Sequence, residues 1–165
     1  MPRKAHSFGF TLVELLVVIA ILVIVATIGI PNFGPTVANS RANTAANDLL
    51  GALQLARSEA VKLNASVVVT AANPSDWAAG WTITTTAGAT TTTIRQRDAF
   101  QRVTITNGPP TIVFRSAGNA TTVDSAGIAT PNTPFIITAN GGGDPSRCLA
   151  VTASGSAAVT PGDCS

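Results

Sequence analysis

Residues 7–31 of the chain read SFGFTLVELLVVIAILVIVATIGIP, and this stretch decides how the rest is organised. From Leu15 to Ile30 no residue is charged, and Thr27 is the only polar one. A helix of that length can cross a bilayer core of about 30 Å. The sequence therefore predicts a membrane-spanning helix over residues 10–30. Glu14 carries a charge that is costly in hydrocarbon, which marks it as a functional residue. The alternative is that Glu14 lies among the headgroups and reaches water.

The residues before the apolar run allow two interpretations of residues 1–9. A basic leader, Arg3 and Lys4, precedes an apolar segment, as in a Sec signal peptide or signal anchor. However, no small-residue cleavage site of the A-x-A type follows Ile30, and the small-residue boundary, Gly9, lies ahead of the run. The second interpretation is therefore cleavage between Gly9 and Phe10, which leaves the apolar helix at the new N-terminus.

The motif Gly9-Phe10-Thr11-Leu12-Val13-Glu14 resembles the class III leader site of type IV pilins and type II secretion pseudopilins. The resemblance implies that a prepilin peptidase cuts after Gly9 and methylates Phe10. Glu14 would then be residue five of the mature chain. A buried carboxylate needs a partner. The resemblance implies that this partner is the α-amino group of Phe10 on a neighbouring subunit, and that the pair sets the register of filament assembly.

Residues 31–64 are predicted to continue the helix after a bend. Pro31, with Gly34 and Pro35 close behind it, is expected to kink or locally melt the helix. Pilins commonly have proline at this position, where the resemblance implies that the helix can unwind in the filament; the alternative is a plain linker. From Thr36 to Leu63, alanine and leucine recur at steps of three and four residues, which predicts an amphipathic helix. Asn64 is a suitable C-cap.

Residues 65–165 are predicted to form a β domain on the far side of the membrane. β-branched and alternating segments separated by Gly, Pro and Asn indicate short antiparallel strands packed on the helix. The predicted strands cover residues 66–71, 80–86, 90–96, 101–106, 111–115, 134–139, 147–153 and 156–160.

Three segments of this region resemble the GspH/FimT family of minor pilins and pseudopilins: Gly80-Trp81, the run IVFRSAG at 112–118, and RCLAV at 147–151. The resemblance implies an α+β fold in which a long N-terminal helix packs on a C-terminal antiparallel β domain of two small sheets. The first half of that helix would span the membrane, and the second half would be amphipathic.

Composition limits the possible functions. Of ten basic side chains, Arg3 and Lys4 lie in the leader, so eight remain against eight acidic ones and the mature chain is nearly neutral. Bulk charge therefore does not indicate strong nonspecific binding to nucleic acid. Cys148 and Cys164 are an even pair in an exported region, which predicts a disulfide worth about 3 kcal/mol.

No catalytic, cofactor or metal site is expected. The only histidine, His6, lies in the leader, which removes the usual triads and metal ligands from the mature chain. Arg95, Arg97 and Arg102 form the one basic cluster, and alternation on a strand would place Arg95 and Arg97 on one face. They could contact DNA phosphates; the favoured alternative is a solvated edge strand.

Some members of the resembled family bind DNA through a Gly-Arg-x-Arg motif in the final hairpin. This chain has GSAA at residues 155–158, so both arginines of that motif are missing. DNA binding by the family's route is therefore not favoured.

The sequence thus predicts a non-enzymatic minor pilin or pseudopilin, a structural subunit of a type IV pilus or type II secretion filament. Its expected partners are other pilins, prepilin peptidase and the bacterial inner membrane. The C-terminal domain is expected to be periplasmic until the subunit enters the filament. Two alternatives remain: a DNA-binding minor pilin in natural transformation, and a membrane-tethered β domain that never polymerises.

Overall fold

A computed structural model describes residues 9–29, 33–143 and 145–164. The chain divides into two compact units, Met1–Phe33 and Gly34–Ser165, and each is described by itself. The predicted bend at Pro31 lies outside the described residues, so it stays a prediction.

Among the described residues of the first unit, 9–29 and 33, there is one helix, α1 (Leu12–Gly29). Its 18 residues measure about 27 Å at 1.5 Å per residue. The hydroxyl of Thr27 donates to the carbonyl of Ile24 at 2.8 Å, so the one polar side chain of the apolar run is satisfied within the helix. No helix in the described part of the chain combines the length and apolarity that a membrane crossing requires. The predicted span of residues 10–30 includes Ile30, which lies outside the described residues.

The second unit begins with α2 (Gly34–Leu63), an amphipathic helix of 30 residues. Pro35 lies in its first turn, where a missing backbone N–H is tolerated. At the other end, Asn64 adopts a left-handed φ of 48°. Asn64 N–H donates to Val61, and Ala65 N–H donates to Ala60. This Schellman arrangement confirms Asn64 as the residue that ends the helix. The buried side of α2 carries only small and branched aliphatic residues: Ala38, Ala42, Ala45, Ala46, Leu49, Ala52, Leu53, Ala56 and Ala60.

In the described part of the chain ten strands follow, and two of them were not predicted from the sequence. In chain order they are β1 (Val67–Ala71), β2 (Trp81–Ala87), β3 (Thr90–Arg97), β4 (Val103–Thr106), β5 (Thr111–Phe114), β6 (Ala120–Val123), β7 (Ala129–Thr130), β8 (Phe135–Ala139), β9 (Ser146–Val151) and β10 (Ala157–Pro161).

The strands form two antiparallel sheets. The larger has the order β3-β2-β1-β5-β6-β7, and the smaller has the order β10-β9-β8-β4. Helix α2 contacts strands of both sheets. The predicted fold class, a helix packed on an antiparallel β domain of two sheets, is therefore confirmed.

Two limits of the predicted strands are wrong by two residues, for local reasons, and the others are within one residue. β4 starts at Val103, since Arg102 has a left-handed φ of 58° that no strand accommodates. β9 ends at Val151 because Thr152 N–H already turns back to the carbonyl of Ser156 at 2.8 Å. β6 and β7 were missed: β7 is only two residues long, and the buried positions of β6 are Ala120 and Thr122, which give no apolar alternation.

The core between α2 and the sheets contains both tryptophans. Trp77 lies in a short 3₁₀ helix (Trp77–Ala79) and donates its indole N–H to the carbonyl of Pro109 at 2.9 Å. Its ring meets Phe135 edge-on at 5.1 Å between centroids. Trp81 opens β2 and is equally buried. Both are packing residues, not exposed platforms for base stacking.

Cys148 of β9 and Cys164 are joined by a disulfide, with their Cα atoms 5.1 Å apart. The predicted bridge is thereby confirmed. It fixes the chain beyond β10 to the second strand of the smaller sheet.

Candidate functional site

The predicted processing site lies at the start of the first unit. Gly9, Phe10 and Thr11 precede α1 and have no helical structure, and the side chain of Phe10 is 78% exposed. The peptide bond between Gly9 and Phe10 therefore lies outside the helix and is accessible to solvent. A protease could bind it without unwinding the helix.

Thr11 closes the N-terminus of α1, a role that the sequence analysis missed. Its Oγ1 accepts a hydrogen bond from the backbone N–H of Glu14 at 3.2 Å, and its carbonyl accepts from Leu15 N–H. This is the N-cap geometry, and the spacing Thr-x-x-Glu is that of a capping box. The signal was present in the sequence as residues 11–14.

Glu14 lies in the first turn of α1, where free backbone N–H groups favour a carboxylate. Its side chain is exposed, and no residue in the described part of the chain pairs with it. The carboxylate is therefore available to a group from outside this chain.

From Leu12 to Ala26 the apolar side chains of α1 are exposed on every side of the helix. Leu12 and Val13 are the most exposed, and Leu16 to Val25 stay about half exposed along the helix. No single stripe differs from the rest, so the helix has no preferred face for one partner. Such a surface must be covered by hydrocarbon or by several other apolar helices.

The three arginines of the predicted basic cluster have different surroundings. Arg97 donates to Asp48 of α2 at 3.1 Å, and its guanidinium lies 4.3 Å from the centre of the Phe100 ring. Arg97 therefore links β3, the edge strand of the larger sheet, to α2 through an ion pair. Arg95 and Arg102 are exposed, and neither has an ion pair in the described part of the chain.

The face predicted for Arg95 and Arg97 follows from strand register. Arg97 is opposite Trp81 and Arg95 is opposite Ile83, and both of these β2 residues are buried. The two arginines thus share the side of β3 that faces α2. An outward-facing basic ladder is not formed, because Arg97 is held against Asp48.

A second arginine contact, at the start of β9, had no local signal in the sequence. Arg147 Nε–H donates to Asn43 Oδ1 at 2.7 Å, and a terminal N–H donates to Asn39 Oδ1. Another N–H donates to the carbonyl of Ser146 at 2.6 Å. Asn39 and Asn43 are one helical turn apart on α2, so this arginine fixes the axial position of the helix on the smaller sheet.

Within residues 9–29, 33–143 and 145–164, no group of three or more His, Cys, Asp or Glu side chains could hold a metal ion.

Two family models match this chain. Residues 45–155, well over half of its length, match the type II transport protein GspH. Residues 4–30 match the prokaryotic N-terminal methylation motif. No curated protein sequence matches the chain.

Among solved structures, the chain is similar to the type IV minor pilin FimU of Pseudomonas aeruginosa (strain PAO1) in two crystal forms. In the first form the identity is 26%, over 72% of this chain and 92% of FimU, with a TM-score of 0.57. In the second the identity is 25%, over 77% of this chain and 93% of FimU, with a TM-score of 0.60. The extent of the first family match and the methylation motif ahead of it lead to one conclusion: the chain belongs to the GspH family of pilin-like type II transport proteins.

Proposed function

We propose that this chain is a minor pilin or pseudopilin that enters a filament through α1 after its leader is removed between Gly9 and Phe10. The observation that carries the proposal is an apolar helix, exposed on every side, that begins directly after an accessible Gly-Phe bond. A soluble domain gains nothing from such a helix, whereas a filament core covers it completely.

In this proposal the N-terminal residues have distinct roles. Prepilin peptidase cleaves after Gly9 and methylates Phe10. Glu14 then binds the α-amino group of Phe10 on the next subunit, which sets the axial step between subunits. The support is that Glu14 is exposed and without a partner in the described chain, five residues after the cut.

Before assembly the subunit is anchored in the bacterial inner membrane by residues 10–30, with the domain from residue 65 onward in the periplasm. Support comes from the apolar composition of this segment and from its match to the methylation motif. Pro31 provides the bend that lets the helix adjust between the membrane and the filament. The proposal covers both a type II secretion filament and a type IV pilus, since one comparison names type II transport and the other a type IV minor pilin.

The test is the mass of the N-terminal peptide of the chain produced with and without a prepilin peptidase. We expect a methylated peptide beginning at Phe10 only when the peptidase is present. Gly9→Val, which makes the residue before the cut bulky, is the matched control and should leave the leader in place. A leader that stays intact with the peptidase, or a cut beyond Ile30, would contradict the proposal.

A further inference from the structure

The two edges of the smaller sheet differ in what covers them. On β4, the backbone N–H of Ile105 points away from the sheet and donates to Asp76 Oδ1 at 2.9 Å. Asp76 precedes the 3₁₀ helix 77–79, which packs beside that edge. The β4 edge is therefore closed by the chain itself.

The opposite edge, β10, is open. Thr152 N–H donates to Ser156, and Gly162 N–H donates to Ser146. Hydrogen-bonded and non-bonded residue pairs alternate along an antiparallel ladder, so these two bonds show which residues of β10 are bonded to β9. Ala158 and Thr160 bond to β9, whereas Ala157 and Val159 direct their backbone N–H and carbonyl groups outward. In the described part of the chain, nothing hydrogen-bonds to those outward groups.

A groove of about 520 Å³ lies between the start of β10 and the C-terminal half of α2. Gln54, Arg57, Ser58 and Val61 line it from the helix, and residues 155–157 line it from the strand. Val61 is 54% exposed there and contributes apolar surface to the groove. The groove thus offers apolar surface directly beside unpaired backbone groups.

Arg57 is fixed in this groove by two turns. A Cβ added to Gly155 would lie 3.2 Å from Arg57 Nε and 2.0 Å from the carbonyl oxygen of Gly118. A Cβ added to Gly118 would lie 3.3 Å from the same Nε. Both glycines have left-handed φ, 78° and 81°. The two turns therefore close around the guanidinium, and only glycine lets them do so.

The charge of Arg57 is not compensated in the described chain. It is half-buried and has no ion pair or side-chain hydrogen bond there. Lys62, the other cation of the groove, is paired with Glu59 at 3.3 Å. A half-buried cation in an apolar setting gains most from a carboxylate that arrives with a partner.

We propose that this groove accepts an extended acidic segment of another pilin-like subunit, which adds a strand to the β10 edge and places a carboxylate on Arg57. The inference rests on the proposed function, because it names the surface through which the β domain meets its neighbour. The outward groups of Ala157 and Val159 supply the backbone hydrogen bonds of strand addition. A nucleic acid is the poorer fit, because a phosphate backbone needs several free cations in a row and the groove has one.

The test uses the full chain in cells that assemble the filament. A photo-crosslinking amino acid replaces Gln54 in the groove, and the control replaces Gln96, which is also exposed and lies on the edge strand of the other sheet. We expect an adduct from Gln54 with a pilin-like subunit, and the crosslinked peptide should contain Asp or Glu near the crosslink. The yield from Gln96 should not depend on Arg57.

Arg57→Glu should lower the Gln54 adduct by roughly thirty-fold or more, since a desolvated charge pair is replaced by like charges. Arg57→Lys should retain most of the adduct, and reversing the partner's acid to arginine should restore it in the Arg57→Glu background. As a second variant, Ala157→Pro removes one outward N–H without breaking a bond to β9, and it should also lower the yield.

Three results would overturn the docking proposal: an adduct indifferent to Arg57→Glu, a partner peptide without a carboxylate, or a crosslink to nucleic acid. Leader cleavage and the amount of the chain in sheared filaments are measured in the same strains. A chain that is processed and assembled but gives no Gln54 adduct refutes the docking surface alone. A chain that is neither processed nor assembled refutes the proposed function and the docking surface with it.

Discussion

Removal of the Asp76 carboxylate should lower the free energy of unfolding by about 2–4 kcal/mol. Asp76 Oδ1 accepts two backbone hydrogen bonds, from Ala78 N–H and from Ile105 N–H, each at 2.9 Å. The first caps the 3₁₀ helix, and loss of such a cap costs about 1 kcal/mol. The second satisfies an N–H of a fully buried residue, and leaving it unpaired costs about 1–3 kcal/mol. The change Asp76→Ala removes both contributions at once.

The chain offers a matched control in Asp124. Its Oδ1 also accepts two backbone hydrogen bonds at 2.9 Å, from Ala126 and Ile128, but both donors are exposed. Water can replace the carboxylate there, so Asp124→Ala should cost less than about 1 kcal/mol. Asp76→Asn keeps an acceptor oxygen but loses the charge, and its cost should lie between those of the two alanine variants.

The assay is urea unfolding of the full chain in a single detergent, with tryptophan fluorescence as the signal. Trp77 is 1% exposed and lies next to Asp76, and both tryptophans belong to the β domain, so the signal reports that unit. We expect a lower midpoint for Asp76→Ala at an unchanged slope. Equal free energies of unfolding for Asp76→Ala and Asp124→Ala, within about 0.5 kcal/mol, would refute the idea that Asp76 stabilises the fold by satisfying the buried N–H of Ile105 on the β4 edge.

Three further predictions concern residues that the sequence singled out. Arg97→Ala should lower the free energy of unfolding by about 1 kcal/mol, because it removes the contacts with Asp48 and the Phe100 ring. Arg95→Ala should change it by less than about 0.5 kcal/mol. Urea unfolding measures both, and equal effects would contradict the role of Arg97 in holding β3 to α2. Replacing Cys148 and Cys164 by alanine should cost about 3 kcal/mol for a separation of 16 residues, seen as a lower thermal midpoint that reductant no longer changes. Glu14→Gln should leave leader cleavage intact but remove the chain from sheared filaments while it stays in the membrane fraction; normal incorporation would contradict the pairing with Phe10.

Most of the secondary structure follows from patterns that extend over a few residues. The alanine and leucine steps of α2 and the alternation of β1, β2 and β5 are local, so the sequence predicts them closely. The exceptions are also local: Arg102 and Thr152 end strands by turn geometry that the alternation does not show. β7 is too short to carry any periodic signal at all.

The arginines show where sequence reasoning reaches its limit. Spacing placed Arg95 and Arg97 on one face, and the β2–β3 register agrees. Spacing could not reveal that Arg97 would meet Asp48, because that contact depends on where α2 crosses the sheet. In the same way, nothing near Arg147 in the sequence indicates Asn39 and Asn43, more than a hundred residues earlier.

The sequence by itself determined the family and the cleavage motif, because these depend on residue types at fixed short spacing ahead of one apolar run. It also determined the fold class and the disulfide, since the period changes once after Asn64 and only two cysteines exist. The tertiary structure alone decided which sheet edge is closed by Asp76 and which stays open at β10, and it alone brought Gly118 and Gly155 around Arg57. These are contacts between distant segments, fixed by strand register and helix placement, and no local pattern encodes either.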